Sequence, residues 1–442
     1  MSVMIGLYRW LGRPSSTPIL FLLYFAFRAA ILLLRVEPTS DAGWYFNRGA
    51  GLAAGQGYSE GGVLTAFWPP GWPFVLALLF KVFGTSVLVA QIFNLSCSLL
   101  IGWLTMDLGR RLFESAVVGR AALLILAVYP NNIGYIPLVL TEVFYTMLIL
   151  GGCWLLVVYR SLAPVAVAGL IFGLATLVKA QSLIAILCIF AVDLGRNFHA
   201  SHVRTTMGRA VIVLAITFVV ISFWSYRNYR VFGKFILVST NGGLTLLTGN
   251  NPSARGGYTD NDPLVMSLTR TVATQVAVDQ EATQRAVKWI KDNPVQFVSL
   301  MPLKIFRLWA VDGEAEWAFE TGYSSYDSYA YWFRFVRWLN QFYYIVLLAG
   351  FAWAGMLLFS RKATLSEPYI DWWALPYAIA LYPTAIALVF SGQSRFHYPV
   401  LPFVVMCCSW AIIRASSASA GAENSRTNAT QSKKRALLGD RS

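Results

Sequence analysis

Long apolar runs, each followed by a short polar or basic segment, fill most of the first half and the last quarter of the chain. A run of about 18 apolar residues can cross the hydrocarbon core of a bilayer, and its backbone must then pair within a helix. The pattern therefore predicts an all-α polytopic membrane protein with about ten transmembrane helices. The predicted spans are 18–34, 86–106, 117–134, 140–159, 163–178, 180–194, 209–226, 337–359, 372–391 and 397–413.

The segment 35–85 interrupts this pattern after the first span. Its residues 42–54 read as a short helix that follows Ser40-Asp41 and ends at a Gly-Gln-Gly break. Pro69-Pro70 then opens an apolar stretch that Gly84 closes. Because the turn before the next span is short, residues 70–83 are predicted to lie in the membrane surface as an interfacial helix.

The second long segment, 227–336, predicts a small mixed region. Its first part carries turn signals and two short β-like runs, FILVST and LTLLTG. Residues 279–293 have the pattern of an amphipathic helix, and 294–309 predicts a second interfacial helix. These features indicate an outer loop with structure of its own.

The same pattern predicts five regions along the chain. They are a cytoplasmic N-terminus (1–17), seven spans with their outer loop (18–226), the large outer loop (227–336), three further spans (337–413) and a disordered cytoplasmic tail (414–442). The tail is rich in Ser, Ala, Asn and Lys, which is typical of disorder.

The basic residues predict the orientation of the spans. With both termini in the cytoplasm, the short outer segments hold far fewer basic residues than the inner segments. The basic residues of the short outer segments are Arg35, Arg48, Lys81, Lys179 and Arg395. Loops beyond about 60 residues translocate largely regardless of charge, so 227–336 does not affect the comparison. Both long segments should therefore face the non-cytoplasmic side.

Composition supports this class of protein. Charged residues make up 13% of the chain and hydrophobic residues 57%, whereas soluble domains carry about 25% charged residues. The net charge of +14 would suggest nucleic acid in a soluble protein, but membrane topology accounts for it here. The five cysteines lie in predicted spans without metal-ligand spacing, which argues against a disulfide framework or structural zinc.

Two acidic residues are candidates for catalysis. Asp41 lies just outside the first span, where a carboxylate can act as a general base. Glu142 lies in the first turn of a span that begins on the outer side, and a carboxylate at membrane depth is a functional-site candidate. Each also has a purely structural interpretation, as a helix cap for Asp41 and as favourable placement at a helix N-terminus for Glu142.

The basic and aromatic candidates share the same outer side. Lys179 lies between two short spans and could bind a phosphate, although it could also simply extend to the interface. Arg395 and His397, at the outer end of the last two spans, could bind a phosphate or serve as interfacial anchors. Tyr45 and Trp68 could bind a sugar, but aromatic belts are the commoner role of such tracts.

Motifs that bind cytosolic nucleotides are missing from the sequence, which has no phosphate-binding GxxxxGK[ST] loop and no GxGxxG after a strand. The zinc-binding motif HExxH is missing as well. An outward-facing enzyme would not meet nucleotide-sugars. If the protein transfers sugars, its donor should be lipid-linked.

Five ordered segments resemble the GT-C class of glycosyltransferases, specifically the PMT/ArnT-like group (glycosyltransferase family 39 and the related RgtA/B/C/D-like domain). The segments are SDAGWYFNRGAGLAAGQGY with FWPPGWPFVLALLFKVFG, YPNNIGYIPLVLTEVFY, GLIFGLATLVKAQSL, RNYRVFGKFILVSTNGGLTLLTGNNP and SRFHYPVLPF. The resemblance covers residues 18–410.

This resemblance implies a polyprenyl-phosphate-sugar donor, an inverting transfer and a glycan, lipid or protein acceptor in the cell envelope. It implies that Asp41 activates the acceptor hydroxyl, that Glu142 is the second acidic residue, and that Lys179 and Arg395 hold the lipid phosphate. Some relatives carry a lysine before the Pro-Pro pair, where this chain has Phe67-Trp68. No DxD-like pair is evident, so the sequence leaves a divalent metal possible but not required.

Two other functions fit a polytopic protein. A flippase or transporter of lipid-linked glycans usually shows repeated halves and broken helices at the midplane, and the sequence shows neither. An O-antigen ligase or polymerase would use a diphosphate-linked glycan and would not explain the structured first loop around Asp41. Glycosyl transfer in a bacterial inner membrane, with a periplasmic site, is therefore the main prediction.

Overall fold

The computed structural model describes residues 2–258, 263–268, 271–313, 315–361 and 372–415. The predicted all-α fold is confirmed, since helices account for nearly all regular structure in these residues. In chain order the helices are α1 (Ser2–Gly12), α2 (Ser16–Ile31), α3 (Ser40–Ala53), α4 (Gly71–Phe83), α5 (Val87–Leu112), α6 (Ala116–Ala127), α7 (Pro130–Gly134), α8 (Glu142–Val158), α9 (Leu162–Val178), α10 (Ser182–Arg196), α11 (Ala200–Phe232), α12 (Gly242–Gly249), α13 (Pro263–Met266), α14 (Gln275–Asp292), α15 (Pro294–Trp309), α16 (Ala315–Gly322), α17 (Tyr326–Arg361), α18 (Leu375–Val389) and α19 (Ser394–Ala415).

Helices overlap all ten predicted spans, but helix length does not establish the number of crossings. Within the described ranges, α5, α11, α17 and α19 are long and apolar enough to cross a membrane, and the bent pair α1–α2 would make a fifth. Helices α4, α6, α8, α9 and α18 are apolar but have only 10–17 residues. The count of ten therefore stays a prediction.

The predicted short helix is present as α3, and the two segments predicted as interfacial helices are helical as α4 and α15. Their position in the membrane surface stays a prediction. The β-like interpretation of LTLLTG is wrong, because these residues lie in α12. Leu247 of α12 packs against Ala282 and Ala286 of α14, and burial of this face favours a helix. The strands found in the described residues are Ser59–Glu60 and Val63–Leu64, a hairpin in the first loop.

Most of the predicted disordered tail, residues 416–442, lies outside the described part of the chain. The division of the chain into five regions stays a prediction.

Small residues allow α9 and α11 to pack closely. A Cβ atom at Gly169 would lie 2.9 Å from Cβ of Ile216, and one at Gly173 would lie 2.7 Å from Cβ of Val220. Apolar helices in membranes associate through such small-residue contacts, because lipid provides no hydrophobic driving force between them. This packing holds α9, and therefore the break at Lys179 that follows it, against α11.

A buried arginine in α2, which the sequence analysis did not single out, ties the first helices together. Arg28 is fully buried and donates hydrogen bonds to Oγ of Ser98 at 2.8 Å, to the carbonyl of Leu126 at 3.0 Å and to Oδ1 of Asn132 at 2.5 Å. The carbonyl belongs to the C-terminal turn of α6, where a positive charge is favourable.

The C-terminal end of α8 meets a cluster of arginines. Asp193 accepts from Arg209 at 2.6 Å and from Arg196 at 2.9 Å, and Arg209 also donates to the carbonyl of Leu156 near the end of α8. Glu142, at the other end of α8, lies in the cavity described below. The arginine-rich turns and the cavity are therefore at opposite ends of this helix.

Candidate active site

A cavity of about 1250 Å³ lies where six connections between helices meet. Its walls come from the starts of α3, α8 and α19, the turn between α9 and α10, the segment after α11, and the end of α15. Its charged lining residues are Asp41, Glu142, Lys179, Arg255, Arg307 and Arg395. Four of these are site residues that the sequence predicts, and the structure brings them together. They are Asp41, Glu142, Lys179 and Arg395.

Asp41 reaches the cavity from the first turn of α3. The N-terminus of a helix favours a negative charge, which explains an acidic residue at this position. Oδ2 of Asp41 accepts a hydrogen bond from Nη1 of Arg395 at 2.6 Å. Both side chains are about one quarter exposed, so the pair is open to a ligand in the cavity.

Glu142 and Lys179 form a second ion pair. Nζ of Lys179 lies 2.9 Å from Oε1 of Glu142, and the carboxylate is almost fully buried. Lys179 follows the last residue of α9 in an extended conformation, and this break between α9 and α10 turns its side chain into the cavity. The predicted pair of short helices around Lys179 is present, and the lysine lines the cavity.

Tyr45 lies near both carboxylates and is one turn beyond Asp41 on α3. Burial, together with the charges of Asp41 and Glu142, raises the pKa of Tyr45 well above its usual value. Its hydroxyl therefore stays protonated and can donate a hydrogen bond at any physiological pH.

An aromatic wall stands beside Asp41. The ring of Trp68 lies 5.2 Å from that of Tyr45 and 4.8 Å from that of Trp44, and it stacks on Phe67 at 5.6 Å. The carbonyl of Trp68 accepts from the hydroxyl of Tyr58 at 2.8 Å, which fixes the backbone before Pro69. Tyr45 and Trp68 thus line the cavity, while their role in binding a sugar stays a prediction.

His397 does not line the cavity, so its predicted contact with substrate has no support in the geometry. The ring is fully buried and stacks between Trp309 at 5.6 Å and Tyr344 at 5.0 Å. Its Nδ1 lies 2.7 Å from the carbonyl of Leu308, and Nε2 lies 3.1 Å from Oδ1 of Asp312.

These contacts give His397 a structural role. Asp312 also accepts hydrogen bonds from the hydroxyl of Tyr129 at 2.6 Å and from the amide of Asn340 at 3.0 Å. Both ring nitrogens of His397 therefore face oxygen atoms of the protein, one from the backbone and one from Asp312. This buried pair anchors the 3₁₀ turn that carries Arg395 into the cavity.

His397→Gln is expected to lower the free energy of unfolding by about 1–3 kcal/mol, because it leaves a buried acceptor without its donor. Thermal or denaturant unfolding of the purified protein in detergent measures this. His199→Gln, at an exposed position between α10 and α11, is the control and should change little. An equal effect of the two variants would contradict the anchoring role.

A metal site is not evident in the described ranges. These residues contain no group of three or more His, Cys, Asp or Glu side chains placed to hold an ion. The two cavity carboxylates are each bonded to a cationic side chain. This donor set does not fit a resident divalent cation.

Two arginines of the cavity, Arg255 and Arg307, were missed by the sequence analysis. The available signal was that the segments around them, 241–258 and 294–311, contain basic but no acidic residues.

Residues 68–226 match the family model described as dolichyl-phosphate-mannose-protein mannosyltransferase. This region includes Trp68, Glu142 and Lys179. No curated protein matches the chain significantly.

Solved structures of an oligosaccharyltransferase from the archaeon Archaeoglobus fulgidus are similar in fold. The apo form has a TM-score of 0.53 at 12% identity over 93% of this chain and 52% of that chain. The complex with Zn and sulfate has a TM-score of 0.51 at 14% identity, over 89% and 48%. The complex with an inhibitory peptide and a dolichol-phosphate has a TM-score of 0.50 at 13% identity, over 92% and 52%. The chain thus spans about half the length of these structures.

The predicted resemblance to GT-C glycosyltransferases is confirmed by these two comparisons. Residues 68–226 match a mannosyltransferase family model, and the helices of the chain are similar in fold to those of the archaeal oligosaccharyltransferase.

Proposed function

We propose that the protein transfers a sugar from a polyprenyl-phosphate-linked donor to a glycan, lipid or protein of the cell envelope, with inversion. The observation that carries this proposal is the pairing of Asp41 with Arg395 beside Glu142 and Lys179, at the mouth of a bundle of apolar helices. A base and two cations in one cavity are what displacement of a phosphate from a sugar requires.

In the proposed reaction the acceptor hydroxyl gives its proton to Asp41 while its oxygen bonds to the anomeric carbon. The bond from that carbon to the phosphate oxygen breaks on the opposite face of the sugar. The electron pair leaves with the polyprenyl phosphate, which gains one negative charge. Lys179 and Arg395 stabilise that charge, so a metal is not needed for this step.

Apolar lining residues support a lipid-linked donor. Leu183 and Ile184 of α10 and Ile386 of α18 border the same cavity as the charged pairs. A polyprenyl chain can therefore stay in apolar surroundings while its phosphate reaches the cations. The similar archaeal structure that holds a dolichol-phosphate supports this arrangement.

The arginine cluster at the far end of α8 supports a non-cytoplasmic cavity in the bacterial inner membrane, because short basic turns stay in the cytoplasm. Gln56→Cys, in the first loop, should react with an impermeant thiol reagent added to intact spheroplasts. Asn197→Cys, in the turn after α10, should react only after permeabilisation. Both positions are exposed, and four of the five native cysteines are buried. The reverse labelling pattern would refute the proposed side.

The transfer itself can be tested with purified protein and a panel of polyprenyl-phosphate hexoses and pentoses, together with membrane extract as the acceptor source. We expect release of polyprenyl phosphate and appearance of the sugar in the extract. Turnover of diphosphate-linked glycans alone would indicate a ligase or polymerase. Movement of the lipid across liposomes without transfer would indicate a transporter.

A further inference from the structure

One wall of the cavity carries positive charge without any acidic residue. The segments 241–258, 294–311 and 375–400 build this wall, and their sequences contain no Asp or Glu. We call Arg255, Lys304 and Arg307 the cationic wall. Arg255 and Arg307 line the cavity, and Lys304 lies one turn before Arg307 on α15.

Among the side chains that the structure describes, the positive and negative charges in the cavity do not balance. Asp41 and Glu142 are bonded to Arg395 and Lys179, respectively. Neither Arg255 nor Arg307 has a carboxylate within 4 Å in the part of the chain that the structure describes, and both are exposed to the cavity. Because the walls are partly apolar, the excess positive charge attracts an anion more strongly than it would in open water.

Lys304 adds to this field from behind the wall. It is fully buried, and its ammonium donates to Oδ1 of Asn250 at 2.8 Å and lies 3.3 Å from the carbonyl of Leu388. Its described partners are thus neutral. Burial lowers the pKa of Lys304 to about 8, so the group is still charged at neutral pH. A buried charge without a counter-ion is costly, and an anion in the cavity would reduce that cost.

Glycines place Arg307. Gly257 and Gly392 form a parallel bridge, and the amide of Gly392 donates to the carbonyl of Gly256 at 2.8 Å. A Cβ atom at Gly257 would lie 3.6 Å from Cδ of Arg307, and one at Gly392 would lie 3.0 Å from its Cβ. The aliphatic part of the Arg307 side chain therefore lies against the backbone of Gly257 and Gly392.

We propose that Arg255 and Arg307 bind an anionic group of the acceptor, a phosphate or carboxylate close to the hydroxyl that receives the sugar. This inference rests on the proposed function, in which Lys179 and Arg395 hold the donor phosphate. Ligand pockets commonly measure about 300–1,000 Å³, and this cavity of about 1250 Å³ has room for both substrates. The acceptor is accordingly an acidic glycan or a phosphorylated lipid.

Binding of inorganic phosphate tests the subsite without any transfer reaction. The full chain is placed in nanodiscs of neutral phosphatidylcholine, saturated with undecaprenyl phosphate, and titrated with inorganic phosphate by ³¹P NMR. We expect phosphate to bind while undecaprenyl phosphate stays in place. Arg255→Gln with Arg307→Gln should weaken phosphate binding about tenfold or more, because two charge-assisted hydrogen bonds are lost. The affinity for undecaprenyl phosphate should stay unchanged.

Arg334→Gln is the matched control, since Arg334 is an exposed arginine of α17 away from the cavity and should leave both affinities unchanged. Arg255→Gln alone should give an intermediate loss of phosphate affinity. This single variant still tests the proposal if the double variant does not fold. Displacement of inorganic phosphate by undecaprenyl phosphate would show that the donor occupies the wall and would overturn the proposal. Unchanged phosphate binding in the double variant would overturn it too. If the protein binds inorganic phosphate as expected but transfers no sugar, only the proposed function is contradicted.

Discussion

Asp41→Asn is expected to lower kcat for sugar transfer by about 10²–10⁴-fold, the usual contribution of a general base. Asparagine has the same shape and can still accept a hydrogen bond from Arg395, but it cannot take the proton of the acceptor hydroxyl. The KM for the donor should change little, since Asp41 contacts only one of the two proposed phosphate-binding cations, Arg395, and asparagine can keep that contact. Initial rates of polyprenyl phosphate release measure both parameters.

Two variants make this experiment specific. Asp292→Asn removes an exposed carboxylate at the end of α14, away from the cavity, and should leave transfer unchanged. Asp41→Glu keeps a carboxylate and should retain more activity than Asp41→Asn. The thermal unfolding temperatures of all variants should be close. Full transfer by a correctly folded Asp41→Asn protein would show that the base lies elsewhere.

Glu142→Gln or Lys179→Met is expected to destabilise the protein by about 3–5 kcal/mol, the usual cost of leaving one partner of a buried ion pair uncompensated. The exposed fractions of the side chains, 2% for Glu142 and 13% for Lys179, place this pair well inside the protein. The double variant should be more stable than the sum of the two single effects predicts. Denaturant unfolding in detergent, arranged as a double-mutant cycle, measures the coupling.

The same cycle on Lys288 and Asp292 provides the control. This pair lies on the surface of α14 with both side chains largely exposed, and solvent should screen its interaction so that the two effects add. The double variant of Glu142 and Lys179 should fold yet bind polyprenyl phosphate weakly, because it lacks one phosphate-binding cation. Additive effects at the buried pair would mean that the two charges are not coupled, contrary to the structure.

Local sequence signals predicted the secondary structure well. Hydrophobic period and length located the apolar helices, and the Pro-Pro pair before α4 and Pro294 of α15 marked the starts of these two helices. These signals act within one or two turns of the backbone, so they can be read without knowing the fold. The signal failed at α12, where packing of Leu247 against α14 overrides a β-like composition.

The sequence by itself determined that this is a helical membrane protein. It also identified Asp41, Glu142, Lys179 and Arg395 as ionisable residues in or beside apolar segments, where a charge is costly and therefore marks a candidate site. Only the tertiary structure decided which of them meet. Asp41 and Arg395 are 354 positions apart, and His397 turns into the protein although Arg395, two residues earlier, turns into the cavity. Pairing of charges depends on distance and burial in three dimensions, because the energy of an ion pair depends on how much water surrounds it. Neither quantity is encoded in the local pattern of the chain.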